Sequence, residues 1–112
     1  MVVLAISEKA FSQQVVDLAQ VLGWRIAHFR PARTAKGWRT PVSADGAGFP
    51  DLVMVRGDRL IFAELKSEKG KAEPAQQEWL RLLEATGKAE VYLWRPSQIE
   101  EIVEILWRSE GC

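Results

Sequence analysis

The segment GFPDLVMVRGDRLIFAELK, at residues 48–66, constrains the fold more than any other part of the chain. Two short runs of apolar residues flank Gly57-Asp58, a dipeptide that suits the two-residue loop of a tight antiparallel hairpin. Counting outward from this turn pairs Arg56 with Arg59, Val55 with Leu60, Met54 with Ile61, Val53 with Phe62, Leu52 with Ala63 and Asp51 with Glu64. The sequence therefore predicts a β-hairpin in which two carboxylates are direct neighbours.

This register needs a compensating charge. Directly opposed residues project from the same face of a sheet with Cβ atoms roughly 4.5 to 5.5 Å apart, and like charges in that position are destabilising. Either one carboxyl group holds a proton, or a cation lies between the two. Because side chains alternate along a strand, Lys66 points to the same side as Glu64. Asp51, Glu64 and Lys66 are thus expected to converge on one patch.

The patch has the chemistry of a divalent metal site. Mg²⁺ prefers carboxylate and carbonyl oxygens together with water and substrate phosphates, a demand that Asp51, Glu64 and the Leu65 backbone carbonyl would meet. An ion there would activate a bound water and stabilise charge on a phosphoryl oxygen, while Lys66 would orient or deprotonate the nucleophile or neutralise the phosphate. The alternative is a solvent-exposed strand end with a surface Glu64–Lys66 pair. The otherwise almost purely apolar strands make these charges exceptions to the pattern.

Helices and strands alternate along the rest of the chain. The patterns predict a helix capped by Ser7 and ending at Gly23, a strand over 24–30, a long loop over 31–48, a helix from Pro74 to Gly87, a strand over 91–94, and a last helix over 99–106 that begins with a Ser97–Glu100 capping box. This order predicts an α/β fold with a small mixed central sheet and flanking helices. No linker is evident, so residues 1–112 are expected to form a single domain.

Composition excludes several classes of protein. The formal net charge is zero, so the chain does not act through overall basicity. Its single cysteine, Cys112, excludes an internal disulfide and a cysteine-based zinc site. No apolar run reaches the roughly 20 residues of a membrane span, and Met1 to Ile6 lacks the features of a signal peptide. These observations favour the cytoplasm.

One local segment is strongly basic. Between Arg25 and Thr40 there are five positive residues and no acid. The candidate nucleic-acid contacts within it are Arg30, Arg33, Lys36, Trp38 and Arg39. Such residues can contact phosphates while the aromatic ring stacks on an unpaired base; the alternative is solvated loop charge. His28 is expected to be structural.

The ordered motifs resemble a known nuclease family. SEKAFSQQVVDLAQVLGW, GFPD, AELK, EPAQQEWLRLL and VYLWRP follow one another as in VRR-NUC domains, the virus-type replication and repair branch of the PD-(D/E)XK nucleases. The resemblance implies a restriction-endonuclease-like core that hydrolyses DNA phosphodiesters with Mg²⁺ or Mn²⁺. Asp51 and Glu64 would bind the metal with the Leu65 carbonyl, and Lys66 would be the catalytic lysine.

The resemblance also gives roles to two helix residues. Glu8 would support a ligand or a metal-bound water from the first helix, and Gln76 would assist from the helix after the hairpin. Without the resemblance, Glu8 is equally a first-turn acid that favours the helix dipole, and Gln76 a solvated side chain.

The expected function is a structure-specific DNA endonuclease. Compact members of this branch resemble homodimeric Holliday junction resolvases, so branched DNA is the expected substrate, in DNA repair within a bacterial or phage-infected cell. A two-fold dimer would suit a two-fold symmetric junction. The alternative is a non-catalytic nucleic-acid-binding or assembly module that retains the fold. No residue discriminates DNA from RNA.

Overall fold

The computed structural model describes residues 6–29, 32–34, 37–39 and 42–110, with the backbone alone at 32–34 and 37–39. The elements are α1 (Glu8–Val21), β1 (Arg25–His28), β2 (Ala32–Thr34), β3 (Gly37–Arg39), β4 (Leu52–Arg56), β5 (Arg59–Leu65), α2 (Pro74–Ala85), β6 (Glu90–Trp94), a short 3₁₀ helix (Pro96–Gln98) and α3 (Ile99–Trp107). This is the predicted α/β fold class.

The main sheet has four strands in the order β1-β4-β5-β6. Its first three strands are antiparallel, whereas β5 and β6 are parallel and joined through α2, so the sheet is mixed as predicted. The hairpin register is confirmed from Arg56↔Arg59 to Leu52↔Ala63. Gly57 has φ of +61°, which a turn of this kind requires of its first residue.

The hydrophobic core lies on one face of this sheet. Ile61, Ala63 and Leu65 alternate along β5 and are fully buried there. They belong to the same hydrophobic cluster as the buried residues of the two flanking helices, Phe11, Val15 and Ala19 of α1 and Ile102, Ile105 and Leu106 of α3. Since side chains alternate, Phe62, Glu64 and Lys66 project from the other face.

Aromatic residues partly cover that other face. Phe49 makes edge-to-face contacts with Phe29, Phe62 and Trp79, with ring centroids 5.7, 6.0 and 5.1 Å apart. Trp79 belongs to α2, so this cluster holds the helix against the sheet. The face that carries Glu64 is therefore covered by α2 and not by the main core.

The helix boundaries follow the predicted signals at two helices. The Ser7 side chain accepts a hydrogen bond from Ala10 N at 3.0 Å and caps α1. Pro74 is the first residue of α2. Among the described residues, no helix combines the length and the apolar character that a membrane crossing requires.

The predicted Ser97–Glu100 capping box is wrong. Ser97 lies inside the 3₁₀ helix, two residues before α3 begins at Ile99. Its hydroxyl and its N–H both donate to the Glu68 carboxylate, at 2.6 and 3.0 Å. A distant acid thus takes the bonds that a local cap would have made, which a local motif cannot reveal.

The prediction of a long loop over 31–48 is wrong in part. Two strands of this segment, β2 and β3, form a separate antiparallel pair with the register Ala32↔Arg39, Arg33↔Trp38 and Thr34↔Gly37. Strands of three residues are too short to show an alternating hydrophobic pattern, so their pairing escapes a periodicity argument.

The turn end of the hairpin opposes two positive charges. Arg56 and Arg59 are directly paired, and we call them the arginine end. Both guanidinium groups lie over the Trp24 ring, 4.7 and 4.9 Å from its centroid, in cation–π contact. Arg59 also forms a bidentate ion pair with Glu90, with N–O distances of 2.8 and 2.7 Å.

Backbone carbonyls at two helix ends complete the arginine end. Arg56 donates to the carbonyl oxygens of Leu22, Leu106 and Arg108, and Arg59 donates to those of Ile105 and Arg108. These carbonyls lie where α1 and α3 end, at the negative poles of the helix dipoles. The like-charge pair is therefore neutralised within the chain.

Candidate active site

The opposite end of the hairpin carries Asp51 and Glu64, which we call the acidic end. The β4 ladder stops at Leu52, so Asp51 lies one residue beyond the last strand pair. Its Oδ2 accepts a hydrogen bond from Leu65 N at 2.8 Å, in the position of the next ladder bond. Because the N–H and C=O of a strand residue point to the same side, the Leu65 carbonyl also points toward Asp51.

Glu64 is the most deeply buried acid among the described residues, with 1% of its surface exposed. Its Oε2 accepts a hydrogen bond from Gln76 Nε2 at 2.8 Å and lies 3.9 Å from Lys66 Nζ. Its Oε1 is buried and receives no hydrogen bond from any described residue. A buried carboxylate oxygen without a donor is costly, which indicates that a cation or a proton belongs there.

The electrostatics of the acidic end reflect this crowding. Burial, together with the negative charge of Asp51, raises the pKa of Glu64 to about 8, although Lys66 opposes the shift. Burial also raises the pKa of Asp51, against the hydrogen bond from Leu65 N. The two carboxyl groups are close enough to hydrogen-bond each other when one is protonated. Without a cation, the pair therefore favours holding a proton.

The donor set fits a divalent metal ion. Two carboxylates and a backbone carbonyl are the hard oxygen ligands that Mg²⁺ and Mn²⁺ accept, with water and phosphate completing the shell. Within the part of the chain that the structure describes, no group of three or more Asp, Glu, His or Cys side chains could hold a metal. As metal ligands, Asp51 and Glu64 would thus need further oxygens from backbone, water or substrate.

Glu8 lies at the edge of this group. It is the first residue of α1, and its pKa is raised by burial, lowered by Lys66 and raised by Asp51. These charge effects place its carboxylate near both side chains. The supporting role expected of Glu8 stays a prediction.

Gln76 is held in position from both sides. Its Oε1 accepts a hydrogen bond from Glu73 N at 2.8 Å, so its amide nitrogen is turned toward Glu64. Gly48 packs directly against this helix start: a Cβ atom there would lie 2.8 Å from Gln76 N, and φ is +84°. Glycine is therefore required where the loop before Asp51 meets α2.

The turn after Lys66 is also fixed. Lys66 N donates to the Trp94 carbonyl at 3.0 Å, extending the pairing between β5 and β6. The Arg95 guanidinium then donates to the carbonyl oxygens of Ser67, Glu68 and Gly70, at 2.8, 3.2 and 2.6 Å. These bonds hold the backbone at Lys66 and in the turn after it.

Sequence reasoning missed one neighbour of the site. The positive charge of His28 lowers the pKa of Asp51, although burial of Asp51 is the larger effect and raises it. His28 pairs with Leu52, next to Asp51, through the β1–β4 register. That register joins strands separated by a long segment, so no local signal indicates the proximity.

The predicted nucleic-acid contacts cannot be placed in the same way. Arg30 and Lys36 lie outside the described residues. Arg33, Trp38 and Arg39 belong to β2 and β3, where the backbone alone is described. Their role stays a prediction.

Known proteins resemble this chain in fold and in sequence pattern. A solved structure named "VRR_NUC domain protein" superposes with a TM-score of 0.61 and 23% identity, over 92% of this chain and 87% of that chain. No curated protein matches the chain. The family model of the VRR-NUC domain matches residues 6–104, nearly the whole chain, and implies a function of nuclease type. The chain belongs to the VRR-NUC domain family.

Proposed function

We propose that the protein is a metal-dependent, structure-specific DNA endonuclease that acts on branched DNA such as Holliday junctions. The observation that carries the proposal is the buried Glu64 Oε1, which has no hydrogen-bond donor among the described residues and lies beside a second carboxylate. A protein that only binds DNA gains nothing from two clustered acids next to a phosphate, because they repel it. This favours the enzyme over the non-catalytic binding or assembly module.

Each residue of the acidic end has a role in this mechanism. Asp51, Glu64 and the Leu65 carbonyl would hold Mg²⁺ or Mn²⁺. When bound, the ion supplies a water of lowered pKa and neutralises charge on the phosphoryl oxygen. Gln76 fixes the Glu64 carboxylate through Oε2 and leaves Oε1 for the ion. Glu8 orients a water at the edge of the site.

Lys66 faces the reacting phosphate in this arrangement. Its side chain is 13% exposed and its amine lies 3.9 Å from Glu64 Oε2, so it borders the carboxylates without replacing the ion between them. From there it positions the attacking water or neutralises the phosphodiester. The Arg95 bonds hold the backbone of the turn that follows the lysine.

The same proposal includes contacts to the DNA and self-association of the chain. Arg30, Arg33, Lys36 and Arg39 would contact backbone phosphates and Trp38 an unpaired base. A homodimer would match a two-fold symmetric junction. Trp107 at the end of α3 is 71% exposed and offers an apolar surface for self-association, whereas its neighbour Leu106 is buried.

The test is a cleavage panel with Mg²⁺ or EDTA. Four-way junction, flap, splayed-arm, single-stranded and duplex DNA are incubated with the wild type, Glu64→Gln, Lys66→Met and the surface control Glu78→Gln. We expect Mg²⁺-dependent cutting of branched substrates, abolished by Glu64→Gln and lowered about 10² to 10⁴-fold by Lys66→Met. Cutting by Glu64→Gln at the wild-type rate, or cutting in EDTA, would refute the mechanism. Equal binding with and without Mg²⁺, and no cutting, would establish the binding module.

A further inference from the structure

Phe29 is a partly exposed aromatic residue beside the acidic end. The β1–β4 register pairs His28 with Leu52, and the next hydrogen bond runs from Phe29 N to the Asp51 carbonyl at 2.8 Å. Continuing the hairpin register places Asp51 opposite Glu64. Phe29, Asp51 and Glu64 therefore form one row across three neighbouring strand positions, spaced by roughly 4.8 Å each.

The Phe29 ring projects from the same face as Glu64. It meets the Phe49 ring edge-on, at 5.7 Å and 86° between planes, and Phe49 in turn contacts Phe62, which shares the Glu64 face. The ring is thus supported from one side. Phe29 nevertheless remains 41% exposed, so part of its ring is open to a ligand.

We propose that Phe29 stacks on an unpaired base next to the phosphodiester held at the acidic end. The substrate class that follows is nucleic acid with an unpaired or displaced nucleotide beside the cut, as opposed to a continuous duplex. This inference rests on the proposed function, because the row gives the ring a role only if a phosphate binds at Asp51 and Glu64.

A base suits this surface better than a protein partner does. The exposed ring stands one strand spacing from Asp51 and two from Glu64, and an apolar protein interface rarely includes buried charge of that kind. A base offers a π face to the ring while its phosphate reaches the metal site, since a nucleotide joins the two groups covalently. Stacking also tolerates any base, which agrees with a nuclease that reads DNA structure.

The experiment measures stacking directly. Oligonucleotides carry 2-aminopurine, whose fluorescence falls on stacking, either in a one-nucleotide gap at a junction or in a continuous duplex. Wild type, Phe29→Leu, Phe29→Tyr and the control Val55→Ala are titrated in EDTA and again in Mg²⁺. Val55 is a matched control because it is 42% exposed. It lies in β4 on the same face of the sheet as Phe29, but toward the arginine end.

We expect quenching of the unpaired probe by wild type, Phe29→Tyr and Val55→Ala, and a much weaker signal with Phe29→Leu. Losing one stacked base should weaken binding of the unpaired substrate between about fivefold and about 150-fold, with little change for the duplex. Equal quenching by Phe29→Leu, or no quenching by wild type in either buffer, overturns the inference.

The stacking of Phe29 and the cleavage of DNA can fail independently of each other. Metal-dependent cleavage with no Phe29 effect would leave the nuclease standing and remove the stacking role. Quenching without cleavage by any form would support the ring contact and remove the enzyme. Thermal unfolding of each variant shows that Phe29→Leu is folded at the temperature of the titration.

Discussion

Each end of the hairpin brings two like charges together, but the two ends differ in how those charges are compensated. At the arginine end, two opposed guanidinium groups are neutralised by Glu90, by the Trp24 ring and by carbonyls at the ends of two helices. At the acidic end, two opposed carboxylates receive hydrogen bonds from Leu65 N and Gln76, and one buried oxygen receives none from the described residues.

This difference distinguishes structural charges from chemical ones. A like-charge pair that serves the fold is satisfied by the chain itself, because an unpaired buried charge would cost more than most folds can lose. At the acidic end the described residues do not balance the two carboxylates. The raised pKa values of Asp51 and Glu64 are a consequence. Under the proposed function, a cation would supply the positive charge that the acidic end lacks.

Substitution of Arg59 should cause the largest loss of stability, because it removes most of the hydrogen bonds of the arginine end. Arg59→Met removes both bonds to the Glu90 carboxylate, the side-chain bond to the Ile105 carbonyl and one of the two bonds to the Arg108 carbonyl. We expect the free energy of unfolding in urea to fall by about 3 to 5 kcal/mol. The control is Arg81→Met, which breaks an exposed pair with Glu78 and should change stability by less than about 0.5 kcal/mol.

The same variant tests whether the two ends are independent. Folded Arg59→Met protein should cleave DNA at nearly the wild-type rate, because the arginine end does not touch the acidic end. A loss of stability below about 1 kcal/mol would show that the carbonyl network contributes little. A loss of cleavage by folded protein would show that the hairpin couples its two ends.

Metal binding should cause the next largest change in stability. This change should depend on the acidic end alone. Mg²⁺ or Mn²⁺ at a hundred times its Kd should stabilise the folded protein by about 2.7 kcal/mol, measured against NaCl of equal ionic strength. Asp51→Asn and Glu64→Gln should each lose most of this increment, whereas Arg59→Met should keep it. An increment that persists in both carboxylate variants would place the metal elsewhere.

The hairpin itself could be predicted because its register depends on local residues. Gly57-Asp58 sets the pairing of everything between Leu52 and Ala63, and the ladder follows it. The same count brought Asp51 toward Glu64, although Asp51 proves to lie beyond the strand and to bond Leu65 N through its side chain. A local turn thus specifies neighbours well, but it does not specify how a side chain replaces a ladder bond.

Contacts between distant segments could not be predicted. The opposed arginines carry no sign of their partners, since the carbonyls that accept their hydrogen bonds depend on where α1 and α3 end in space. Phe29 and His28 reach the acidic end through the β1–β4 register, across a long intervening segment. Such pairings arise from packing of the whole sheet, which pattern and spacing do not encode.

Neutralising Glu64 should have a smaller effect, visible in the pH dependence of the metal-free protein. The folded pKa of Glu64 is raised from 4.5 to about 8, mainly by burial and by Asp51. A raised carboxyl pKa stabilises the fold below the unfolded value, and that contribution is lost as pH rises from about 4.5 through 8. In EDTA, wild type should therefore lose stability over this range.

Glu64→Gln should remove that loss. The substituted amide carries no charge opposite Asp51, so at pH 8.5 the variant should be up to about 1 kcal/mol more stable than wild type, with no difference near pH 4.5. Urea unfolding across this pH range measures it. A variant that is less stable than wild type at every pH would mean that Gln76 and the buried geometry require the carboxylate.

Glu90 should show the smallest effect, with the opposite sign on the pH axis. Partial burial raises the pKa of Glu90. The hydrogen bonds from Arg59 and Tyr92, together with nearby positive charges, outweigh burial and lower this pKa below its usual value. A lowered carboxyl pKa gives stability that is present above the unfolded value of about 4.5 and lost as pH falls through the folded one. Glu90→Gln should cost about 0.5 to 1 kcal/mol at pH 6, because an amide oxygen still accepts from Arg59 and only one hydrogen bond of the bidentate pair is lost. The variant should lose less stability than wild type between pH 6 and pH 3. Urea unfolding of both proteins in EDTA gives this comparison, and Glu78→Gln serves as the exposed control. Parallel pH profiles for wild type and Glu90→Gln would mean that the carbonyl groups, and not the carboxylate, balance the arginine end.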